Sequence, residues 1–442
     1  MRIDRLRMEN FKGFERREIA LHPEFNLVVG ENGSGKTSVL DALAVAAGSW
    51  FLGLLSGHDS RHIRQDEVRL CGFYNDESMR WESQYPCVIH AEGRLPPSSS
   101  GQAALFETWK RSLTGPKSRT TYADAMAIRR VAEEATLAVA GNEKNLLPLI
   151  SYYGTGRLWV TPRELVRSKG QGTKKTLQRL SRLDGYRHSI DPRLSVVELI
   201  TWIAQQSWVA FQAGNKETKA LSTVREALVR NVVGAENIYF DAKYGGVIVD
   251  FNDGQRQPFS NLSDGQRCML AMVGDIAQKA ATLNPHLGGD ILTKTPGIVL
   301  IDELDLHLHP KWQRHVIEDL RTTFPSIQFV CTTHSPFLIQ SLRSGEELVM
   351  LDGQPTAQLA NLSIEAIAHG IQGVDRTDVG ERYETMRETA RNYLQTLEEA
   401  AEAPAARLAE YKTRLANSIA RYADNPAFQA VLEFERAVKL GE

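Results

Sequence analysis

Hydrophobic residues recur along this chain in two different spacings, which predict strands alternating with helices. Between residues 3 and 21, apolar and polar positions alternate around a turn at Phe11 and Phe14, a pattern that predicts two short strands. Continuous apolar runs predict buried strands, because a strand covered on both faces reads as a nearly unbroken hydrophobic run. These runs are residues 25–29, 149–153, 298–301 and 328–332.

Longer segments place apolar residues three or four positions apart, which predicts helices. They are residues 37–47, 123–140, the segment after 264, 312–322, 378–401 and 404–422, with a mainly helical stretch at 195–233. Further strands are expected at 68–94 and in a hairpin at 238–259, where glycines mark the turns. From these changes in character we expect four regions. They are an N-terminal lobe at 1–160, a basic loop and helical insertion at 161–235, a C-terminal lobe at 236–352, and a helical appendage at 353–442.

A glycine-rich stretch lies between the first buried strand and the first predicted helix. It reads GENGSGKTS from Gly30 to Ser38 and matches the P-loop pattern GxxxxGK[ST] completely. Glycines let backbone amides converge on phosphate oxygens, and the helix N-terminus adds a favourable dipole. We expect Lys36 to reach the β- and γ-phosphates of ATP and the Thr37 hydroxyl to ligate Mg²⁺. The expected nucleotide-binding residues of this loop are Gly30, Asn32, Gly33, Ser34, Gly35, Lys36, Thr37 and Ser38.

Two carboxylates follow the apolar run at 298–301, as expected of a Walker B element. Asp302 would hold the Mg²⁺ ion together with Thr37, and Glu303 would orient or deprotonate the attacking water. Taken alone, the pair also fits a strand end with two solvated acids. The complete P-loop favours the interpretation that Glu303 is catalytic and Asp302 binds the metal.

The segment Leu262-Ser263-Asp264-Gly265-Gln266-Arg267 stands immediately before an apolar helix. A hydroxyl, a glycine and a helix N-terminus together form a second anion site. One nucleotide does not need two such sites on the same chain, so we expect Ser263, Gly265 and Gln266 to face the nucleotide of another subunit. The alternative is that Ser263 only caps its own helix.

Five motifs in this order, NFKGF, GENGSGKTS, LSDGQR, VLIDELDLHLHP and CTTHSP, resemble those of ABC-type ATPases of the SMC and RecF branch. The resemblance covers most of residues 1–350. It implies an α/β fold: an ABC-type ATPase head, with a P-loop core sheet and an antiparallel β subdomain, plus a helical insertion and a C-terminal helical appendage. It also implies that Lys12 lies near the nucleotide, that Asp305 lies at a dimer seam, and that His334 is the switch histidine. The position of His334 supports this role independently, because it follows a predicted core strand at the edge where open α/β sheets bind ligands.

Two positions depart from the pattern of this family. Where a glutamine usually follows a core strand, this chain has the segment YYGTGR from Tyr152 to Arg157, and Arg157 is the candidate there for a phosphate-facing role. The signature carries Asp264 where glycine is commonest, which adds negative charge near the expected site.

Composition narrows the functional classes only modestly. The formal net charge of −2 excludes a globally basic nucleic-acid binder. A local basic run between Arg167 and Arg182 either contacts DNA or RNA phosphates or is a solvated loop, and its lack of interleaved aromatics favours the loop. His307 and His309 lack a third ligand at metal spacing, and the cysteines form no CxxC pair. The widely separated cysteines indicate a reduced, cytoplasmic setting. No apolar run is long enough for a membrane span, so we do not expect a membrane-embedded protein.

The parts around the ATPase motifs suggest a biological setting. The insert between P-loop and signature has no continuous heptad stretch, which excludes long SMC arms, and the region after His334 lacks the acidic pattern of a TOPRIM nuclease. No intrinsic nuclease is therefore expected. A short-armed ATPase with a helical tail resembles the Septu-type PtuA ATPases, including those attached to retrons. This resemblance implies anti-phage defence, an ATP-sandwiched homodimer or multiples of it, and a separate HNH nuclease. The alternatives are a RecF-like DNA repair ATPase and an ATP-sensing scaffold that does not hydrolyse ATP.

Overall fold

The computed structural model describes residues 1–54, 60–75, 78–96, 104–157, 181–194, 196–352, 362–372, 380–404, 407–420, 422 and 424–440. The chain divides into two compact units, Met1–Ile367 and Ala368–Glu442. Of the basic run predicted between residues 167 and 182, only Arg182 lies within the described residues.

Strands belong to the first unit and are numbered here in chain order. They are β1 (Arg2–Phe11), β2 (Phe14–Ala20), β3 (Phe25–Val29), β4 (Leu70–Asn75), β5 (Ser78–Ser83), β6 (Cys87–Leu95), β7 (Leu105–Leu113), β8 (Leu149–Tyr153), β9 (Ala235–Asp241), β10 (Gly246–Phe251), β11 (Arg256–Pro258), β12 (Gly297–Ile301), β13 (Ile327–Thr332) and β14 (Leu348–Met350).

Helices occur in both units. They are α1 (Lys36–Ala47), α2 (Met126–Ala140), α3 (Val196–Gln212), α4 (Lys219–Asn231), α5 (Asp264–Leu283), α6 (Ile291–Lys294), α7 (Pro310–Gln313), α8 (Val316–Thr323), α9 (Pro336–Gln340), α10 (Ile364–Gly370), α11 (Glu381–Ala401), α12 (Leu408–Ala420) and α13 (Pro426–Leu440).

The core of the first unit is a five-stranded parallel sheet in the order β14-β3-β13-β12-β8. Strands β3, β8, β12 and β13 are buried along their whole length, as their apolar runs predict. Because all five strands run in one direction, the residues that follow them meet at one edge of the sheet. The P-loop follows β3, Asp302 follows β12, and His334 follows β13, so the sheet gathers the predicted motifs at this edge.

Antiparallel strands form a second layer of the first unit. The order is β2-β1-β6-β7, with β1 and β2 joined by the tight turn that residues 11–14 predict. Helix α1 contacts both this layer, through β1 and β6, and the core sheet, through β12 and β13. Three further strands, β9 to β11, form a small antiparallel sheet before α5. The predicted α/β fold, with a parallel core, an antiparallel subdomain and C-terminal helices, is confirmed.

The second unit consists of the helices from α11 to α13. Its core is a cluster of buried residues, Tyr393, Leu397, Leu415, Ile419 and Leu432. Three large apolar residues of α13 are instead exposed, namely Val431, Phe434 and Val438 at 62%, 67% and 64%. Within the described residues, no helix combines the length and hydrophobicity that a membrane crossing requires.

Some elements differ from the prediction. The single helix expected at 312–322 is divided into α7 and α8, because tertiary contacts fix the first turn separately. The Gln313 side chain donates to the Leu308 carbonyl oxygen at 2.8 Å and accepts from the Ser335 hydroxyl at 2.6 Å. Strands β7 and β14 and helix α13 are additional elements that hydrophobic spacing did not indicate.

Candidate functional site

The P-loop joins the buried strand β3 to helix α1 through residues in unusual backbone conformations. Gly33 and Gly35 have φ angles of 86° and 97°, in the left-handed region that favours glycine. A Cβ atom on Gly35 would also lie 2.6 Å from the Phe14 ring, which would have to move. Gly33 has open space beside it. The loop thus keeps its backbone accessible to a ligand.

Lys36, the first residue of α1, folds back over its own loop. Its ammonium group donates to the carbonyl oxygens of Gly30 at 2.9 Å and Glu31 at 2.8 Å. Burial lowers the pKa of Lys36, while the nearby carboxylates, led by Asp302, act in the opposite direction. The Ser34 hydroxyl is buried and has no hydrogen-bond partner in the described structure. A cation beside accessible amides and an unpartnered hydroxyl fit a phosphate chain.

Asp302 and Thr37 come together although they lie far apart in sequence. The Thr37 hydroxyl is 3.0 Å from Oδ2 of Asp302, and the Asp302 residue is only 4% exposed. The described residues contain no group of three or more His, Cys, Asp or Glu side chains that could hold a metal ion. One hydroxyl and one carboxylate suit Mg²⁺, which commonly takes its remaining ligands from phosphate and water. The pair therefore fits a Mg²⁺ ion that arrives with a nucleotide.

Thr332, at the end of β13, holds both Walker B residues. Its hydroxyl donates to Oδ1 of Asp302 at 2.6 Å and accepts from the backbone N–H of Glu303 at 2.7 Å. Glu303 has a φ angle of 50°, which is uncommon for a residue with a side chain and persists only where surrounding contacts impose it. Thr332 was not predicted as a site residue, although it belongs to the CTTHSP motif and ends a core strand.

Arg157 lies beneath the Walker B element rather than toward a phosphate. It is 1% exposed, and its guanidinium donates to the carbonyl oxygens of Asp302 at 2.7 Å and Glu303 at 3.0 Å. The phosphate-facing role suggested for Arg157 is therefore wrong in this structure, because the guanidinium is engaged on the backbone.

Asp305 and His334 lie in the two segments that follow β12 and β13. Oδ1 of Asp305 accepts from the Thr333 hydroxyl at 2.5 Å, which ties these segments together. His334 is exposed at the same edge of the sheet. Its role as switch histidine and the role of Asp305 at a dimer seam stay predictions.

The signature segment forms the N-terminus of α5. Ser263 caps this helix, and Gln266 returns the contact, since its side chain accepts from the Ser263 backbone at 3.1 Å and from the Ser263 hydroxyl at 2.9 Å. Ser263 is exposed at this N-terminus. The charge of Asp264 is balanced by an ion pair with Arg267. The capping alternative is thus realised within the chain, and contact with a second subunit's nucleotide stays a prediction.

Gly265 has a packing role that the motif does not reveal. A Cβ atom on Gly265 would lie 2.5 Å from the carbonyl oxygen of His307 and 3.3 Å from the Trp312 ring. The helix N-terminus therefore packs closely on the segment that follows Walker B. His309 caps α7 by accepting from the Lys311 backbone N–H at 3.2 Å.

Lys12 lies beside α1 in a cluster of charges. It forms an ion pair with Asp41, and its ammonium is 3.9 Å from a carboxylate oxygen of Glu67. Asp41 also accepts from the Tyr152 hydroxyl at 3.4 Å. These residues line a cavity of about 520 Å³ next to α1. Asp41 is one turn beyond Thr37, and contact between Lys12 and a nucleotide stays a prediction.

Asp352, which follows β14, was not expected at the site. Its carboxylate accepts from the backbone N–H of Glu31 at 3.1 Å and therefore lies directly at the P-loop. No motif marks it. Only the pairing of β14 with β3, which was not predicted, brings Asp352 to this edge.

The P-loop and Walker B elements meet at one edge of the core sheet, and the chain is similar to AAA-type and RecF-like ATPases, as the sequence motifs predicted. Two family models match: "AAA domain" over residues 5–207 and "AAA domain, putative AbiEii toxin, Type IV TA system" over residues 148–340. The head of the SMC protein from Thermotoga maritima aligns with a TM-score of 0.41 and 12% identity, over 79% of this chain and 94% of that one.

The relatives include retron and Septu ATPases, which confirms the predicted resemblance. The chain is 24% identical to the retron Ec83 probable ATPase of Escherichia coli, over 80% of this chain and 72% of that protein. It is 24% identical to the Septu protein PtuA of Bacillus mycoides, over 80% of this chain but 41% of that longer protein. The chain is also 44% identical over 66 residues to the DNA replication and repair protein RecF of Salmonella typhi. This shorter match covers 15% of this chain and 18% of that protein.

Proposed function

We propose that this protein binds and hydrolyses ATP with Mg²⁺, dimerises around the nucleotide, and regulates a separate nuclease in bacterial anti-phage defence. The observation that carries the ATPase proposal is the 3.0 Å contact between Thr37 and Asp302. Beside it, the described hydrogen bonds of the Lys36 ammonium go to two backbone carbonyl oxygens of its own loop. This arrangement supports a site that gains a phosphate chain and a metal ion together.

The residues of the P-loop have distinct tasks in this proposal. Lys36 leaves the carbonyl oxygens of its own loop and binds phosphate oxygens, and Ser34 offers its unpartnered hydroxyl. Thr37 and Asp302 hold the Mg²⁺ ion. When bound, Mg²⁺ neutralises charge on the phosphate oxygens during transfer to water.

Glu303 is the group that would orient or deprotonate the attacking water. Glu303 directly follows the metal-binding Asp302 in sequence, and contacts from Thr332 and Arg157 fix its backbone on both sides. A fixed general base is favourable because catalysis requires the base within hydrogen-bonding reach of the water. His334, exposed at the same edge, would sense the γ-phosphate.

Dimerisation is supported by the position of the signature helix. Ser263 and the N-terminus of α5 form an exposed anion site with its own helix dipole, in addition to the P-loop of the same chain. Each copy would close this site on the nucleotide held by the other, with Gly265 and Gln266 at the contact and Asp305 at the seam. ATP occupancy would then be converted into association.

The nuclease partnership rests on the relatives and on the second unit. A retron ATPase and a Septu ATPase each align over 80% of this chain. The exposed residues Val431, Phe434 and Val438 lie on one face of α13, at spacings of three and four, and offer an apolar docking surface. We assign this surface to a separate HNH nuclease, whose activity the nucleotide state would control.

A RecF-like role in DNA repair is the second candidate, because a segment of 66 residues is 44% identical to RecF. This function predicts that DNA stimulates ATP turnover without a nuclease partner. An HNH reading frame directly downstream of the gene, whose product co-elutes with this chain, would support defence. DNA-stimulated turnover without such a reading frame would support repair.

The ATPase proposal is tested by comparing the wild type with Glu303→Gln. We expect turnover to fall by about 10² to 10⁴-fold, the usual contribution of a general base, while light scattering still shows an ATP-dependent dimer. If both proteins are equally slow and ATP still forms the dimer, the protein is an ATP-sensing scaffold and the enzyme proposal fails.

A further inference from the structure

Arg157 connects three segments that are distant in sequence. It follows β8, its guanidinium bonds the carbonyl oxygens of Asp302 and Glu303, and its Nε lies 3.1 Å from the Sγ atom of Cys268 in α5. Its Nη1 also donates to the carbonyl oxygen of Gly154 at 3.2 Å. The cation is therefore buried against backbone dipoles, at the point where the Walker B segment meets the signature helix.

The contact with Glu303 acts on a backbone that is itself strained. A left-handed conformation of a residue other than glycine is unfavourable and persists only where surrounding contacts impose it. Thr332 supports the N–H of Glu303 at 2.7 Å, and Arg157 supports its carbonyl oxygen at 3.0 Å. Together they fix the peptide groups on both sides of the Glu303 side chain and hence the direction in which that side chain leaves the backbone.

The contact with Cys268 brings in the signature helix. Cys268 is one turn beyond Asp264, where α5 begins, and is 1% exposed. A shift of the helix N-terminus would therefore move Cys268 and change its contact with Arg157. Arg157 is itself 1% exposed, so its cation lies within the core. Burial raises the pKa of the Cys331 thiol, and the charge of Arg157 acts in the opposite direction.

The planar fork of arginine suits this position. It carries five N–H groups in fixed directions, whereas the lysine ammonium is a compact charge that does not span two adjacent carbonyl oxygens and a thiol at once. Gly154 allows the turn to reach this position, because a Cβ atom there would lie 2.8 Å from Pro192.

We propose that Arg157 is a positioning residue for Glu303 and that, through Cys268, it makes the position of Glu303 depend on the signature helix. This inference rests on the proposed ATPase function. The segment after β8, which lacks the usual glutamine, would then act by positioning Glu303 through Arg157. When α5 closes on the nucleotide of another subunit, the movement is passed to the catalytic glutamate through one side chain.

The test measures kcat for ATP and the Kd of a fluorescent ATP analogue in Arg157→Lys, with Arg182→Lys as the matched control. Arg182 also donates to several backbone carbonyl oxygens, those of Leu283, Glu143 and Asn145, but none belongs to the Walker B segment. We expect Arg157→Lys to lower kcat at least about 10-fold, since small misplacement of a catalytic group is costly, with Kd changed less than about twofold. The control keeps its kcat within about twofold.

The same substitution in the Glu303→Gln background separates positioning from general damage. A residue that acts through Glu303 has no further effect once that carboxylate is gone, so Arg157→Lys should leave the residual turnover unchanged. An equal loss of turnover in both backgrounds would overturn the positioning role, as would wild-type kcat in Arg157→Lys. If wild type and Glu303→Gln turn over ATP equally, the proposed enzymatic function itself fails.

A double-mutant cycle tests the connection to the signature helix. Cys268→Ala keeps the bonds to both carbonyl oxygens and removes the sulfur contact. We expect it to lower kcat in the wild type and to have a smaller effect in Arg157→Lys, because the two residues share one contact. Additive effects on kcat would overturn the coupling through Cys268.

Discussion

Replacing Gly265 by alanine separates the packing role of the signature glycine from its role toward a second subunit. The added Cβ atom would lie 2.5 Å from the carbonyl oxygen of His307. Because that neighbour is backbone, either the N-terminus of α5 or the segment after Walker B must move. Overpacking of this kind costs typically about 1–3 kcal/mol. We therefore expect Gly265→Ala to be destabilised even as a monomer without nucleotide.

The assay is thermal unfolding without ATP, followed by circular dichroism. With an unfolding entropy of about 2.1 cal/mol/K per residue, a loss of 1 kcal/mol lowers Tm by about 1.3 °C in the first unit, Met1–Ile367. A cost of about 1–3 kcal/mol therefore predicts a decrease of about 1.3–4 °C. Gly289→Ala is the matched control, because a Cβ atom there meets nothing within 4 Å and its φ angle is not in the left-handed region. Its Tm should stay within about 1 °C of the wild-type value.

An unchanged Tm in Gly265→Ala would refute this reasoning. It would mean that the close approach to His307 relaxes without cost. If ATP turnover were lost in such a protein, the glycine would act only toward the nucleotide or the second subunit.

Three other predictions concern the nucleotide site. Lys36→Ala should weaken binding of a fluorescent ATP analogue at least about 10-fold, because it removes charge-assisted hydrogen bonds of about 1.5–3 kcal/mol; equal affinity would contradict the role of Lys36. Thr332→Val leaves Asp302 and the Glu303 N–H without a shared partner, so urea unfolding should show a loss of about 1–3 kcal/mol. The exposed Thr322→Val is its control, and equal stability of both variants would contradict the account. Asp302→Asn should abolish the Mg²⁺ dependence of ATP binding, measured with and without EDTA; an unchanged response to EDTA would place the metal elsewhere.

The sequence predicted the central contact of the site because two independent patterns converge on it. A complete P-loop fixes Lys36 and Thr37 at the start of a helix, and an apolar run fixes Asp302 at the end of a strand. Parallel strands then bring these residues to one edge without further information. The 3.0 Å contact between Thr37 and Asp302 follows from this topology.

The supporting residues were not predictable in the same way. Thr332 reads as an ordinary strand residue, and its hydroxyl acquires a function only because β13 lies beside β12. Arg157 was expected to face a phosphate, but the turn after β8 directs it into the core. Asp352 reaches the P-loop only through β14, a strand of three residues that is too short to show a period.

Subunit mixing tests most directly the claim that ATP is bound between two copies. Lys36→Ala removes the P-loop lysine, and Ser263→Arg obstructs the signature side, so each variant alone should show little ATP turnover. In a mixed dimer, the intact Lys36 of one copy faces the intact Ser263 of the other. Random pairing makes about half of the dimers mixed, each with one of two sites complete, so an equimolar mixture should recover about a quarter of wild-type turnover. Turnover no higher than the mean of the separate variants, in a mixture shown to contain mixed dimers, would contradict the composite site.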